Sequence, residues 1–295
     1  MNQRDRSNPI PRPPDFLCVG AQKAATSWLH CSLMRLPGVF LPVLKELHYF
    51  LESASNPPKW TTEMRRGQAK KIQGEYHQLR YLRDHHRIEE QLAHCRAERV
   101  DDDWYRQVFS FARAGDLCGE VCPTYFKLPD HDIQRVNALN PQVRVVLLIR
   151  DPVDRCWSNI RMRKKRLGDA VDIEQLFRTP GGLQNFLDNS NYAQSISRWK
   201  SHVGDRLRLF LFDDIAERPD AVFREALEHI GYTREPELPA LGMVNVGNPA
   251  PMPDAYRARL FELLEPQYDF LSSMYPERVA LWRSVHERAL RGAAC

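Results

Sequence analysis

The chain has 295 residues, 43% of them hydrophobic, 27% charged and 10% aromatic, a mixture long enough to bury a sizeable core and far from the charge-rich, aromatic-poor composition of disorder. That length excludes a minimal disulfide scaffold, and 42 Lys and Arg against 38 Asp and Glu leave a formal charge of +4, compatible with an anionic ligand but too weak a bias to argue for nucleic acid. No apolar run approaches the roughly 20 residues of a bilayer span, so no membrane span is expected. The polar, Pro-rich N-terminus has no signal-peptide core, and a cytoplasmic location is the expectation. The seven cysteines, Cys18, Cys31, Cys95, Cys118, Cys122, Cys156 and Cys295, show no CxxC spacing, and they read as reduced, mostly buried thiols with no metal site.

In chain order, residues 1–14 carry four prolines and no hydrophobic period, which predicts a disordered tail before a domain over 15–295. Phe16 to Val19 form a short apolar run ending at Gly20, followed by small and polar residues and then Leu29, Leu33 and Leu36 at helical spacing: a strand, a tight loop and a helix. Residues 51–110 turn polar and charged and read as surface helices, and the pair His85 and His86 as solvated. Val143 to Ile149 is a continuous β-branched and aliphatic run bounded by Pro141 and Pro152, the pattern of a central parallel strand buried on both faces. Asp151 as N-cap and Pro152 at the first helical position predict a helix directly after Arg150. Tyr192, Ile196, Trp199 and Val203 form a helix stripe, and residues 206–212 read as another strand, with helices closing the chain from about 220 and again from 254. The alternation predicts an α/β fold with a central, mostly parallel sheet flanked by helices.

In open α/β sheets ligands sit at the carboxyl ends of strands, which directs attention to the two strand-to-helix junctions. The first reads GAQKAATSW from Gly20 to Trp28. Small residues let the backbone wrap closely, a helix N-terminus presents N–H groups, Lys23 adds a charge, and Thr26 and Ser27 add hydroxyls. It lacks the GxxxxGK[ST] spacing of the ATP-binding P-loop, and by itself it is read equally as an ordinary capped junction or an anion site. At the second junction Arg150 ends the buried strand and Ser158 follows eight residues on, where guanidinium and hydroxyl suit a phosphate. The two together suggest two phosphates.

GAQKAATSW near the N-terminus together with VVLLIRDPVDRCWS in the middle resembles the sulfotransferases that use 3′-phosphoadenosine 5′-phosphosulfate (PAPS). Three further segments are similar to the bacterial and heparan-sulfate-type, carbohydrate-modifying branch: KELHYF over 45–50, GEVCPTYF over 119–126, and YAQSISRW over 192–199 with the following strand up to Asp213 and Asp214. The resemblance implies a P-loop-like phosphosulfate-binding loop made by Gly20, Gln22, Lys23, Ala24, Ala25, Thr26, Ser27 and Trp28, a 3′-phosphate site at Arg150 and Ser158, and no metal. It puts the catalytic base on Glu46, with His48 the alternative base, and leaves open which of the two acts. Two departures stand out. Ala24 and Ala25 occupy positions where relatives often carry glycine, and Val121 stands where they often carry lysine. A lysine- and glycine-rich loop over the nucleotide is not found in 241–253.

The reaction this implies is in-line transfer of the sulfuryl group to a hydroxyl of a carbohydrate or small-molecule acceptor, with Glu46 taking the proton and Lys23 and the loop N–H groups balancing charge on the leaving phosphate. The acceptor's identity and the oligomeric state are not written in the sequence. Two other classes fit part of the pattern. An atypical P-loop-like kinase would need a metal-holding carboxylate, for which Asp151 and Asp213 are the candidates, and a non-catalytic nucleotide-binding protein would need the basic junctions without Glu46.

Overall fold

Five parallel strands form the sheet of the computed structural model, which describes residues 10–52, 59–75, 87–98, 100–235 and 251–293. They are β1 (Phe16–Gly20), β2 (Val39–Phe40), β3 (Leu117–Val121), β4 (Arg144–Ile149) and β5 (Leu207–Leu211), in the spatial order β2-β3-β1-β4-β5. The expected α/β architecture is present, with β1 and β4 adjacent at the centre and their residues buried from Phe16 to Gly20 and from Val145 to Ile149. Such runs form strands because both faces are covered by helices, so no polar alternation is needed. β2 and β3 are the strands the periodicity did not mark: β2 has two residues, and β3 carries a glycine and a glutamate. Gly119 is required there because a Cβ would meet the Phe16 ring of β1 at 2.1 Å.

The helices that position the site are α1 (Thr26–Leu33), α2 (Asp102–Phe109), α3 (Pro152–Leu167), α4 (Tyr192–Val203), α5 (Asp254–Ser272) and α6 (Pro276–Ala293). α3 begins as its sequence dictates: Pro152 stands in its first turn and the Asp151 carboxylate accepts the Asp154 N–H at 2.9 Å. α5 and α6 pack on each other as a C-terminal pair, and α5 packs on α3 and α4. Residues 10–14 run into β1, with the Arg12 N–H bonded to Arg106 O at 3.3 Å and Asn140 Nδ2 bonded to Pro14 O at 2.8 Å. Residues 1–9, the pair His85 and His86, and residues 241–250 lie outside the described residues. Of the cysteines, Cys18, Cys95, Cys118, Cys122 and Cys156 are buried and Cys31 is half-buried, all with free thiols.

Because every strand is parallel, all five carboxyl ends fall on one edge of the sheet. The chain leaves β2 towards Glu46, β3 towards Thr124, β1 towards Lys23, β4 towards Arg150 and β5 towards Phe212. This edge gathers the segments that the sequence marks separately.

Candidate active site

In the loop between β1 and α1, Ala21 and Ala24 are fully buried in the core. Its Ala21 N–H bonds to Leu148 O of β4 at 2.9 Å. Lys23 and Ala25 both have φ of 73°, a left-handed conformation that costs a residue bearing a Cβ roughly 1–2 kcal/mol. Ala25 caps α1 with no side-chain hydrogen bond, so the first-turn N–H groups have no capping oxygen. Burial lowers the pKa of Lys23, and the neighbouring charges of Arg150, Arg161 and Lys45 lower it further. A positive helix end ringed by four crowded cations fits a bound anion, which would relieve their mutual repulsion.

β4 delivers Arg150 to the same loop. Its Nη1 donates to Lys23 O at 3.2 Å, its guanidinium lies 4.5 Å from the Phe212 ring centroid, and its backbone N–H donates to Tyr192 Oη at 3.1 Å. Ser158, half-buried, follows two turns into α3. Two residues of α3 that the sequence reading passed over hold the loop from below. Arg155, fully buried, donates to Gln22 O at 3.4 Å, to Ser190 Oγ at 2.6 Å and to Phe186 O at 2.6 Å, while Asn159 Nδ2 donates to Gln22 Oε1 at 2.6 Å. The available signal was spacing: Arg155 and Asn159 stand i and i+4, so they share one helix face with apolar neighbours. Trp28 is packed in the core edge-on to Phe223, with ring centroids 5.9 Å apart.

On the other side of β1, the segment after β2 brings Lys45, Glu46 and His48 to the loop. Lys45 Nζ donates to Ser27 Oγ at 3.1 Å and lies 3.4 Å from Glu46 Oε1, so one cation ties the two motifs together. His48 Nε2 stands 4.0 Å from Glu46 Oε2, and His48 Nδ1 is 3.0 Å from Thr124 Oγ1. Glu46 is about a quarter exposed at 23%, whereas His48 is buried at 1%. Both take left-handed backbone conformations, φ 65° and 59°, so four of the five positive-φ non-glycine residues among those described lie in these two segments. Strain concentrated in this way is a mark of a functional site.

A buried carboxylate supports that segment. Glu120 of β3, 1% exposed, accepts the Leu47 N–H at 2.9 Å, the Tyr105 hydroxyl of α2 at 2.7 Å and the Tyr125 hydroxyl at 3.2 Å. Burial raises its pKa to about 7, against the opposing pull of those donors. A lone charged residue in the otherwise apolar strand LCGEV was its signal in the sequence. Val121, beside it, is buried in the core.

The two carboxylates that a kinase would need are engaged elsewhere. Asp151 accepts from Tyr268 Oη at 2.9 Å and pairs with His286 at 2.8 Å, and Asp213 accepts from Trp282 Nε1 at 3.2 Å. Among the described residues no group of His, Cys, Asp and Glu is arranged to hold a metal ion, and no helix is long and apolar enough to cross a membrane.

Comparison with known proteins bears on the fold and on the family. A solved sulfotransferase from Alicyclobacillus acidocaldarius superposes over 92% of this chain and 98% of its own with a TM-score of 0.62 at 20% identity, a likeness of fold. Human heparan sulfate glucosamine 3-O-sulfotransferases 3B1 and 3A1 are each 25% identical over 114 residues, 37% of this chain. The chain spans less than a third of the length of these curated relatives, 29% and 28%. A family model described as the sulfotransferase family matches residues 14–236, which takes in all five strands and both basic junctions, and the chain accordingly belongs to the sulfotransferase family.

Proposed function

We propose that this enzyme transfers a sulfuryl group from 3′-phosphoadenosine 5′-phosphosulfate to a hydroxyl of a carbohydrate or small-molecule acceptor, with Glu46 as the base. The observation that carries the reading is the bridge made by Lys45, which joins the Glu46 carboxylate at 3.4 Å to Ser27 of the cationic loop at 3.1 Å. A proton acceptor and an anion-binding helix end are thereby held a few ångströms apart, as in-line transfer requires. When bound, the nucleotide supplies the sulfuryl group and a phosphate leaving group.

The chain's own residues divide the work. Lys23, with the uncapped N–H groups at Ala25 and Thr26, holds the 5′-phosphosulfate end and balances charge as it builds on the leaving oxygen. Arg150 and Ser158 hold the 3′-phosphate, the planar guanidinium being fixed by its contacts with Lys23 O and Phe212. Glu46, the more exposed of the two candidate bases, takes the acceptor's proton. His48, buried and held by Thr124 at 3.0 Å, packs 4.0 Å from the carboxylate and bounds the space it can occupy. A carbohydrate acceptor is favoured because the matched human relatives are named as heparan sulfate glucosamine sulfotransferases. The burial of Val121 leaves the acceptor side without the lysine often found there, which favours an acceptor of low negative charge.

The test is a calorimetric titration with adenosine 3′,5′-bisphosphate, ADP and ATP, with and without Mg²⁺, repeated on Arg150→Ala. Metal-independent binding that requires the 3′-phosphate and collapses in the variant supports the donor site. Binding of ATP alone, and only with Mg²⁺, overturns it in favour of a kinase.

A further inference from the structure

The C-terminal pair α5–α6 lies beyond the segment matched by the family model, which ends at residue 236, yet it reaches the root of the second basic junction. There Asp151, 5% exposed, immediately follows Arg150, and successive side chains go to opposite partners. Arg150 extends to the loop and Phe212, while Asp151 is engaged by the C-terminal pair: Oδ1 accepts the Tyr268 hydroxyl at 2.9 Å and Oδ2 faces His286 Nε2 at 2.8 Å. His286 is 1% exposed and its other nitrogen, Nδ1, faces Arg257 Nη1 at 3.3 Å. A guanidinium can only donate, so Nδ1 accepts and the Nε2–H donates to Asp151. Arg257, His286 and Asp151 thus form one directed chain, and Arg257 also lies 3.8 Å from Asp154 in the first turn of α3.

Two physical consequences follow for a phosphate at Arg150. A carboxylate one residue away opposes an anionic ligand unless its charge is satisfied elsewhere, and three donors, Tyr268, His286 and the Asp154 N–H, satisfy it here. Asp151 is also the N-cap of α3, so whatever anchors its carboxylate sets where α3 starts and hence where Ser158 stands relative to Arg150. We infer that His286 and Tyr268 are positioning residues for the 3′-phosphate site: by anchoring Asp151 they hold Arg150 and Ser158 in register and keep the adjacent negative charge away from the nucleotide. The inference rests on the assignment of Arg150 and Ser158 to the 3′-phosphate made above.

The experiment is calorimetry on the 295-residue chain with two probes that differ only in the 3′-phosphate, adenosine 3′,5′-bisphosphate and adenosine 5′-monophosphate. His286→Leu is expected to weaken the bisphosphate about tenfold while the monophosphate changes less than about twofold, because only the first uses Arg150 and Ser158. Tyr268→Phe, which deletes a single oxygen and retains the ring, shifts the ratio in the same direction by a smaller factor. It carries the test if His286→Leu does not fold. His286→Gln, which can still donate to Asp151, retains the preference. A wild-type chain with no preference for the bisphosphate overturns the donor assignment and this inference with it. A wild-type preference that survives both His286→Leu and Tyr268→Phe, or an equal loss for both probes, overturns the inference alone.

Discussion

Glu120 accepts the backbone N–H of Leu47 at 2.9 Å, and Leu47 is the residue between the two left-handed positions Glu46 and His48. A buried carboxylate in β3 therefore clamps the peptide on which the proposed base is mounted. Its raised pKa makes the clamp pH-dependent with a definite sign. The folded chain holds the Glu120 proton up to about pH 7, whereas the unfolded chain releases it near the ordinary 4.5, so this group's stabilisation is complete below 4.5 and is lost as pH rises from there to about 7. The contribution is roughly 3 kcal/mol across that window. Urea denaturation over a pH series should show it, and Glu120→Gln, which mimics the protonated acid, should flatten that part of the profile. Unchanged pH dependence in the variant would show that another group is responsible.

Glu46→Gln keeps the size of the side chain and removes its basicity. Turnover is expected to fall by about 10²- to 10⁴-fold, the usual contribution of a general base, with nucleotide affinity within about twofold of the parent. His48→Asn should reduce turnover less, because it displaces the carboxylate without abolishing it. A larger loss at His48 than at Glu46 would exchange the two roles, and steady-state kinetics beside nucleotide titration reads both.

Ala25 has φ 73° and caps α1 without a side-chain bond. Glycine adopts this conformation without strain, so Ala25→Gly should stabilise the fold by about 0.5–1 kcal/mol after the added freedom of the unfolded chain is deducted. Val at the same position, β-branched and less tolerant of positive φ, should cost at least about 1 kcal/mol. Chemical denaturation midpoints for the pair test the backbone reading, and a destabilised glycine variant contradicts it.

Arg155 is fully buried and satisfies oxygens of Gln22, Phe186 and Ser190. Arg155→Met fills the space and leaves those acceptors without their donor, at an expected cost of about 2–4 kcal/mol. Because Gln22 belongs to the loop, nucleotide affinity should fall together with stability. Asn159→Leu, which removes only the bond to Gln22 Oε1, should lower affinity with about half that loss of stability or less. Equal stability of Arg155→Met and the parent would show that the guanidinium is not needed.

What the sequence by itself determined is local. The two central strands, the glycine-ended loop, the Asp151-Pro152 helix start and the α4 stripe were all legible, because each is written in a short apolar run, a period of 3.6 or a capping residue. The family motifs were legible for the same reason, since each basic strand-to-helix junction is contiguous in the sequence. β2 was not, since two residues carry no period, nor was β3, whose glycine and glutamate answer to Phe16 and Leu47 on other segments. Only the tertiary structure decided that five strand ends share one edge, that Lys45 bridges Glu46 and Ser27, and that His286 reaches Asp151 across 135 residues of chain. The physical reason is that a buried polar group takes whatever partner the packing brings to it. Its sequence neighbours do not specify that partner, so the arrangement of charge around the site is a property of the folded sheet edge.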